Sequence, residues 1–402
     1  MRNPMSRSEF IALIAVMFAT IAFSIDAMLP ALPRIGEELS PDDINRAQLI
    51  LTSFVLGMGL GTFFTGPLSD AFGRKPVILA GSAVYILASA VAWVSSSLEI
   101  ILVARILQGI GAAAPRVVSV AIMRDLYSGR EMARMMSIAM MIFTIFPAFA
   151  PMMGAVIIAL FGWRAIFIAF ILFSLFTILW MNLRLPEPLP PQNRRPMRAN
   201  LLLDAVRQML AHPTARLSIM VQTLCLGMLF TMLTMIQPVY DVIFDRADSF
   251  PFWFGAVAVV SGSASVLNAV IVVRIGMRRI VTWSLAAQIL LSASVLLLST
   301  QALPLDTLFV IFVSWQCCVF FMVGTTLGNL NAIAMEPMGH IAGMAASVIG
   351  AISTVLAAAI AAPIGQLFDG SLVPLAGSVT LMAIVGYALM LRMARVESRL
   401  PI

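Results

Sequence analysis

Three charged side chains stand well inside stretches that are otherwise apolar: Asp26, Arg105 and Arg116. At the centre of a lipid-spanning segment a charge costs at least about 2.5–3.5 kcal/mol, so such residues face a bundle interior and mark paths for ions or substrates. Asp26 lies about sixteen residues into its stretch, about 24 Å from the inner end at 1.5 Å per residue. Ala22 and Pro30 share its helix face. A carboxyl in a low-dielectric cavity favours its neutral form, which suits a group that takes up and releases a proton. The alternative is a structural acid near the outer interface, hydrogen-bonded to a neighbouring span. Arg105 enters its stretch about eight residues from the outer end, with Gln108 one turn further on. It is expected at a depth similar to Asp26, and a permanent buried ion pair that orders the bundle is the structural alternative. Arg116 follows Pro115 in the inner half of the same stretch, where substrate contact and a snorkelling or phosphate-facing role both fit.

The elements that must position these residues follow from composition. Of 402 residues, 61% are hydrophobic and 11% charged, against about a quarter charged in soluble domains. The apolar runs are continuous rather than alternating, which favours membrane helices over a barrel. Twelve spans are predicted. Six cover 10–32, 47–68, 77–94, 98–123, 135–160 and 166–183. Six more cover 217–239, 252–273, 280–298, 308–330, 342–364 and 372–393. Arg2 and Arg7 precede an apolar run with no A-x-A-like cleavage site, so an uncleaved first span is expected.

Between the sets, 184–216 carries Pro186, Pro188, Pro190, Pro191 and Pro196, then a short amphipathic stretch at 201–210. It reads as a linker between two six-helix halves, 1–183 and 217–402. With the N-terminus inside, 19 of the 25 basic residues fall in inner segments and four in outer ones. That asymmetry is expected to place both termini in the cytoplasm. It also accounts for the net charge of +6 without a nucleic-acid partner. Cys225, Cys317 and Cys318 lie inside spans, so no disulfide framework is expected. His212 and His340 fall in breaks, and no metal cluster, P-loop or nucleophile–base pattern occurs; no metal or other cofactor is expected, and the chain does not read as an enzyme.

The stretch "GPLSDAFGRKP", 66–76, compresses Asp70, Arg74 and Lys75 between two spans, punctuated by Gly66, Gly73 and Pro76. Gly73 permits a tight turn and Pro76 suits a helix start. Asp70 does not follow from the positive-inside bias. It can pair with a nearby arginine or sit at a helix N-terminus, as a contact formed in one state and broken in another. Arg124 and Asp125, ending the fourth span, are expected in the same latch. The second half repeats the pattern as "RIGMRRIVTWS", 274–284, with Gly276 for Gly73, Arg278 for Lys75 and Val273 for Asp70. The second copy has thus lost its acid.

"GPLSDAFGRKP" resembles the loop signature of the major facilitator superfamily. "SIDAMLPALP" (24–33), "ARILQGIGAAA" (104–114), "PAFAPMMGA" (147–155) and "NAIAMEPMGHIAGMAAS" (331–347) together resemble the bicyclomycin/chloramphenicol-resistance group of drug:proton antiporters. Ala148 and Ala150 stand where that group usually carries glycines, and Met28 where it usually carries Tyr. The resemblance implies twelve helices in two halves and proton-driven export. It also implies an acid at Asp26 and an arginine at Arg105 that couple proton to substrate, and a fifth-span motif at Pro147, Pro151 and Gly154. Those prolines should bend the span, and Ala148 and Gly154 should allow close helix approach.

Further cavity candidates are Ala22, Met28, Gln108, Arg116, Gln222, Gln237, Gln316 and Asn329, the polar ones weighed against helix–helix hydrogen bonding. The expected activity is export of small, moderately hydrophobic compounds in exchange for protons, by a monomer in the lipid bilayer, through alternating access. A proton-coupled carrier for one metabolite, such as a nucleoside, amino acid or sugar derivative, is the nearest alternative. A membrane-embedded enzyme or sensor would need ligands clustered at membrane depth.

Overall fold

The computed structural model describes residues 5–194 and 199–398. Residues 195–198 of the expected linker and the side chain of His340 lie outside the described residues. Twelve helices among the described residues are long and apolar enough to cross a membrane, from Arg7–Leu39 to Val373–Glu397. No strand occurs among them. The all-helical, twelve-span architecture is the one expected from continuous apolar runs.

The described chain forms two compact units, Met1–Ala199 and Asn200–Ile402. The first contains α1 (Arg7–Asp26), the short α2 (Leu32–Leu39), α3 (Leu49–Phe72), α4 (Arg74–Val94), α5 (Leu98–Leu126), α6 (Gly129–Phe161) and α7 (Ala165–Arg184). The second contains α8 (Ala199–Ala211), α9 (Pro213–Pro238), α10 (Phe250–Ile275), α11 (Met277–Leu298), α12 (Leu305–Met335), α13 (Ala342–Gly365) and α14 (Val373–Glu397). The stretch expected to be amphipathic is helix α8, which buries Leu202, Ala205 and Met209 and exposes Leu203 and Leu210.

Two local features differ from the sequence reading. Span one is not a single helix. It ends as α1 at Asp26, passes through a 3-10 turn at Leu29–Ala31, and resumes as α2. Pro30 and Pro33, which lack backbone donors, account for the interruption. The charged stretch 66–76 is almost wholly helical. α3 runs through Pro67 to Phe72, and Gly73 alone separates it from α4. Gly73 has φ +102°, and Gly276 plays the same part between α10 and α11 at φ +87°. Both conformations favour glycine.

Lipid offers no hydrophobic force between helices, so close approach at small residues holds the first unit together. A Cβ on Gly57 of α3 would run into the Ile106 carbonyl of α5, and one on Gly109 into the Phe54 carbonyl. Gly81 and Gly111 make the same contact between α4 and α5. In the second unit Gly328 faces open space. We therefore expect Gly57→Ala and Gly109→Ala each to cost about 1–3 kcal/mol as overpacking, read as a fall of several degrees in the unfolding midpoint in detergent. Gly328→Ala should leave the midpoint unchanged. Equal midpoints for all three would contradict the packing assigned to α3 and α5.

Candidate functional site

Asp26 is the last residue of α1, 6% exposed. Among the described residues its carboxyl has neither an ion pair nor a hydrogen-bond partner. Its backbone surroundings are closed. A Cβ on Gly154 of α6 would collide with the Ala27 carbonyl, so α6 rests directly on the break in span one. This is the close approach expected of the fifth-span motif, and α6 stays continuous through Pro147 and Pro151. Ala148 is buried in the same helix. Ala22 and Met28, named as cavity candidates, are packed in the interior at 5% and 1% exposure.

Arg105 is fully buried in α5. Its Nη2 donates to the Ser24 carbonyl at 2.9 Å, its Nε to the Ile50 carbonyl at 3.1 Å and its Nη1 to Gln108 Oε1 at 2.9 Å. The guanidinium also lies over the rings of Phe54 at 4.4 Å and Phe170 at 5.9 Å. The structural alternative of a permanent ion pair with Asp26 is therefore not what the geometry contains. Arg105 reaches the backbone two residues before the acid and is satisfied by neutral acceptors. Gln108 Nε2 passes the network on to Ser89 Oγ at 2.6 Å. Ser24 Oγ meets Tyr85 OH at 2.6 Å and donates to the Thr20 carbonyl at 2.6 Å. Sequence reasoning missed Ser24, Tyr85 and Ser89. Serines inside spans usually bond back to their own helix, so nothing in their spacing marked them.

Where α3 meets α4, Arg74 is the hub. Its Nη1 donates to Asp70 Oδ1 at 2.6 Å and to Ser69 Oγ at 2.7 Å, and its Nε to Asp125 Oδ2 at 2.7 Å. Ser69 Oγ in turn donates to the Gly66 carbonyl. Of the two possibilities for Asp70, pairing with arginine is the one realised. The helix start is held instead by Glu187, unflagged because it sits among prolines. Its carboxylate accepts the backbone N–H groups of Arg74 and Lys75, both at 2.9 Å. Lys75 Nζ donates to the Asn182 carbonyl. Arg124 is exposed and makes no contact with Asp70 among the described residues; Arg74 takes the place expected for it.

The second unit builds a matching cluster from different acids. Arg278 donates to Glu397 at 2.7 and 2.8 Å and to Glu336 at 2.7 Å. The two glutamates stand at the ends of spans ten and twelve, as Asp125 closes span four and Glu187 lies just past span six. Arg278 thus gathers two acids although Val273 stands at the place of Asp70. A cavity of about 410 Å³ opens beside it, lined by His212, Thr214, Arg278, Glu336, Pro337 and Glu397.

The remaining polar candidates divide. Asn329 bonds Asn268 across helices at 2.8 Å. Gln316 accepts from Tyr240 OH at 3.0 Å, while its Nε2 and the Oε1 atoms of Gln222 and Gln237 are buried without partners among the described residues. Tyr240, ringed by Phe250, Phe309 and Phe312, was not anticipated. Arg116 is exposed, with Met58 Sδ at 3.7 Å. No group of three or more potential metal ligands occurs among the described residues.

The chain matches the family model described as Major Facilitator Superfamily over residues 12–393. It is 32% identical over 364 residues to the bicyclomycin resistance protein homolog of Haemophilus influenzae, spanning 88% of this chain and 87% of the relative. It is 39% identical over 147 residues to a chloramphenicol resistance protein of Pseudomonas aeruginosa, spanning 36% and 35%. Among solved structures, a D-xylose–proton symporter superposes with a TM-score of 0.74 at 14% identity over 96% of this chain and 97% of the symporter, a likeness of fold.

The three acceptors of Arg105 generate a prediction. Lysine keeps the charge but presents a single point in place of a planar fork. Hydrogen bonds to a charged group are worth about 1.5–3 kcal/mol each. Arg105→Lys should therefore unfold in detergent at a midpoint well below wild type, close to that of Arg105→Ala. A wild-type midpoint for Arg105→Lys would show that charge alone, not the fork, is what the bundle needs.

Proposed function

The chain belongs to the Major Facilitator Superfamily, and on that premise we propose that it is a proton-coupled secondary exporter of small, moderately hydrophobic compounds, of the multidrug or amphenicol- and bicyclomycin-type. It works by alternating access as a monomer in a bacterial inner membrane, with both termini cytoplasmic. The observation that carries the reading is Asp26: a buried carboxyl, unpaired among the described residues, at the broken end of α1, two residues from the carbonyl that Arg105 holds. The resistance proteins named above support the substrate class.

Asp26 carries the proton. While protonated it is neutral and needs no counter-charge. On losing the proton it becomes a buried carboxylate, and the Arg105 guanidinium is held two residues away, at the Ser24 carbonyl. Exchange of the Ser24 carbonyl for the Asp26 carboxylate re-aims the end of α1, and with it the 3-10 turn and α2. Substrate and proton thereby compete for one arrangement of span one. Tyr85 and Gln108 hold the two partners of that exchange, Ser24 and Arg105. At the inner end, Asp70, Arg74, Lys75, Asp125 and Glu187 form the latch that one conformation keeps and another releases.

The test is reconstitution of the full chain into proteoliposomes with an imposed pH gradient. Radiolabelled chloramphenicol and a panel of unrelated dyes, bicyclomycin and nucleosides are offered in turn. We expect gradient-dependent movement of several unrelated compounds, abolished by a protonophore. Movement of one metabolite alone would replace the export reading with a specific carrier. Movement indifferent to the gradient would remove proton coupling.

A further inference from the structure

Arg116 is a cation inside a span that the account so far leaves without a task. It lies ten residues from the inner end of α5, about 15 Å along the axis. Its side chain is exposed, and among the described residues its one hydrogen-bond partner is a thioether, Met58 Sδ at 3.7 Å. A thioether is a weak acceptor, so nearly all five guanidinium donors are unspent. The ion-paired carboxylates of this unit are already committed to other arginines: Asp70 and Asp125 to Arg74, Glu9 to Arg184, Glu38 to Arg164, Glu99 to Arg46 and Glu131 to Arg7.

The direction in which Arg116 is exposed matters. The outer half of α5 shows an apolar stripe at Ile100, Val103 and Leu107, exposed by 50%, 59% and 44% as a lipid-facing surface should be. At 100° per residue, Arg116 points about 180° away from Leu107 and within about 20° of Arg105. It therefore opens on the face of α5 that carries the buried arginine network, opposite the lipid stripe. Val120, one turn further on, is exposed there too. A planar fork with free donors beside apolar groups matches a carboxylate, sulfonate or phosphate borne on an apolar body.

We propose that Arg116 is an anion subsite, so that the compounds carried include amphiphilic organic anions whose charged group docks on this guanidinium. The proposal rests on the transporter reading, but its test needs no proton gradient. Purified full-length protein is placed in nanodiscs of phosphatidylcholine, and equilibrium binding of radiolabelled 1-naphthaleneacetate is compared with that of the uncharged 1-naphthaleneacetamide. Wild type should bind the acid about tenfold more tightly than the amide, the scale of one charge-assisted contact. Arg116→Gln should lower acid binding to the level of the amide while leaving amide binding unchanged, which also reports that the variant is folded. Arg116→Lys should keep an intermediate preference. Equal affinity for the two probes in wild type, binding of neither, or a preference that survives Arg116→Gln would each overturn the proposal. Replacing half the lipid with phosphatidylglycerol separates the two sources of an anion. An unchanged acid-to-amide ratio is expected, and a collapse exceeding that in Arg116→Gln would assign the guanidinium to lipid headgroups instead. None of these failures would touch proton coupling, and a failure of proton coupling would leave the binding result intact.

Discussion

A guanidinium sealed away from water must find its acceptors inside the protein, and Arg105 finds them on α1, α3 and its own helix. That requirement fixes much of the first unit. The Ile50 carbonyl is brought within reach where α3 and α5 meet at glycine, with Gly57 and Gly109 lying against opposing carbonyls. α6 is drawn onto the end of α1 by the same device at Gly154. The outcome is a rigid polar knot with a single loose member. Asp26 stands at its edge, buried and without a partner among the described residues, where span one stops being a helix.

The ends of the spans obey a different constraint. Water and headgroups are close there, so charges are affordable, and each unit gathers acids onto the arginine that begins its third span. Arg74 collects Asp70 and Asp125, while Glu187 caps the helix that Arg74 opens. Arg278 collects Glu336 and Glu397. Asp125 and Glu187 in one unit, and Glu336 and Glu397 in the other, come from equivalent places at the ends of the fourth and sixth spans of each half, while Val273 stands where the first unit has Asp70. What the two halves share is therefore an electrostatic arrangement rather than a string of identical residues.

This explains which parts of the protein could be read from sequence. Spans announced themselves because continuous apolar runs have one solution in lipid. Gly73 and Gly276 were readable because a left-handed turn restricts residue choice. Asp26, Arg105 and Arg116 stood out because charge within a span is costly. Partners were harder. Glu187 and Glu397 look like ordinary surface acids until folding brings them to Arg74 and Arg278. Ser24, Tyr85 and Ser89 carry no charge, and their hydroxyls satisfy their own helix as easily as a neighbour. The break at Asp26 was concealed by an apolar run that continues across it, although Pro30 and Pro33 offered a signal. Arg124 was read as a latch residue by adjacency to Asp125; helix geometry turns the two in different directions, about 100° apart.

The central claim is that Asp26 is the carboxyl that gives up a proton when a compound binds. Purified protein at weakly buffered pH, mixed with a compound that it carries, reports this directly through a pH indicator. Wild type should release a proton, and Asp26→Asn that still binds the compound should release none. Release that persists in Asp26→Asn would place the exchanging proton on another group and contradict the account.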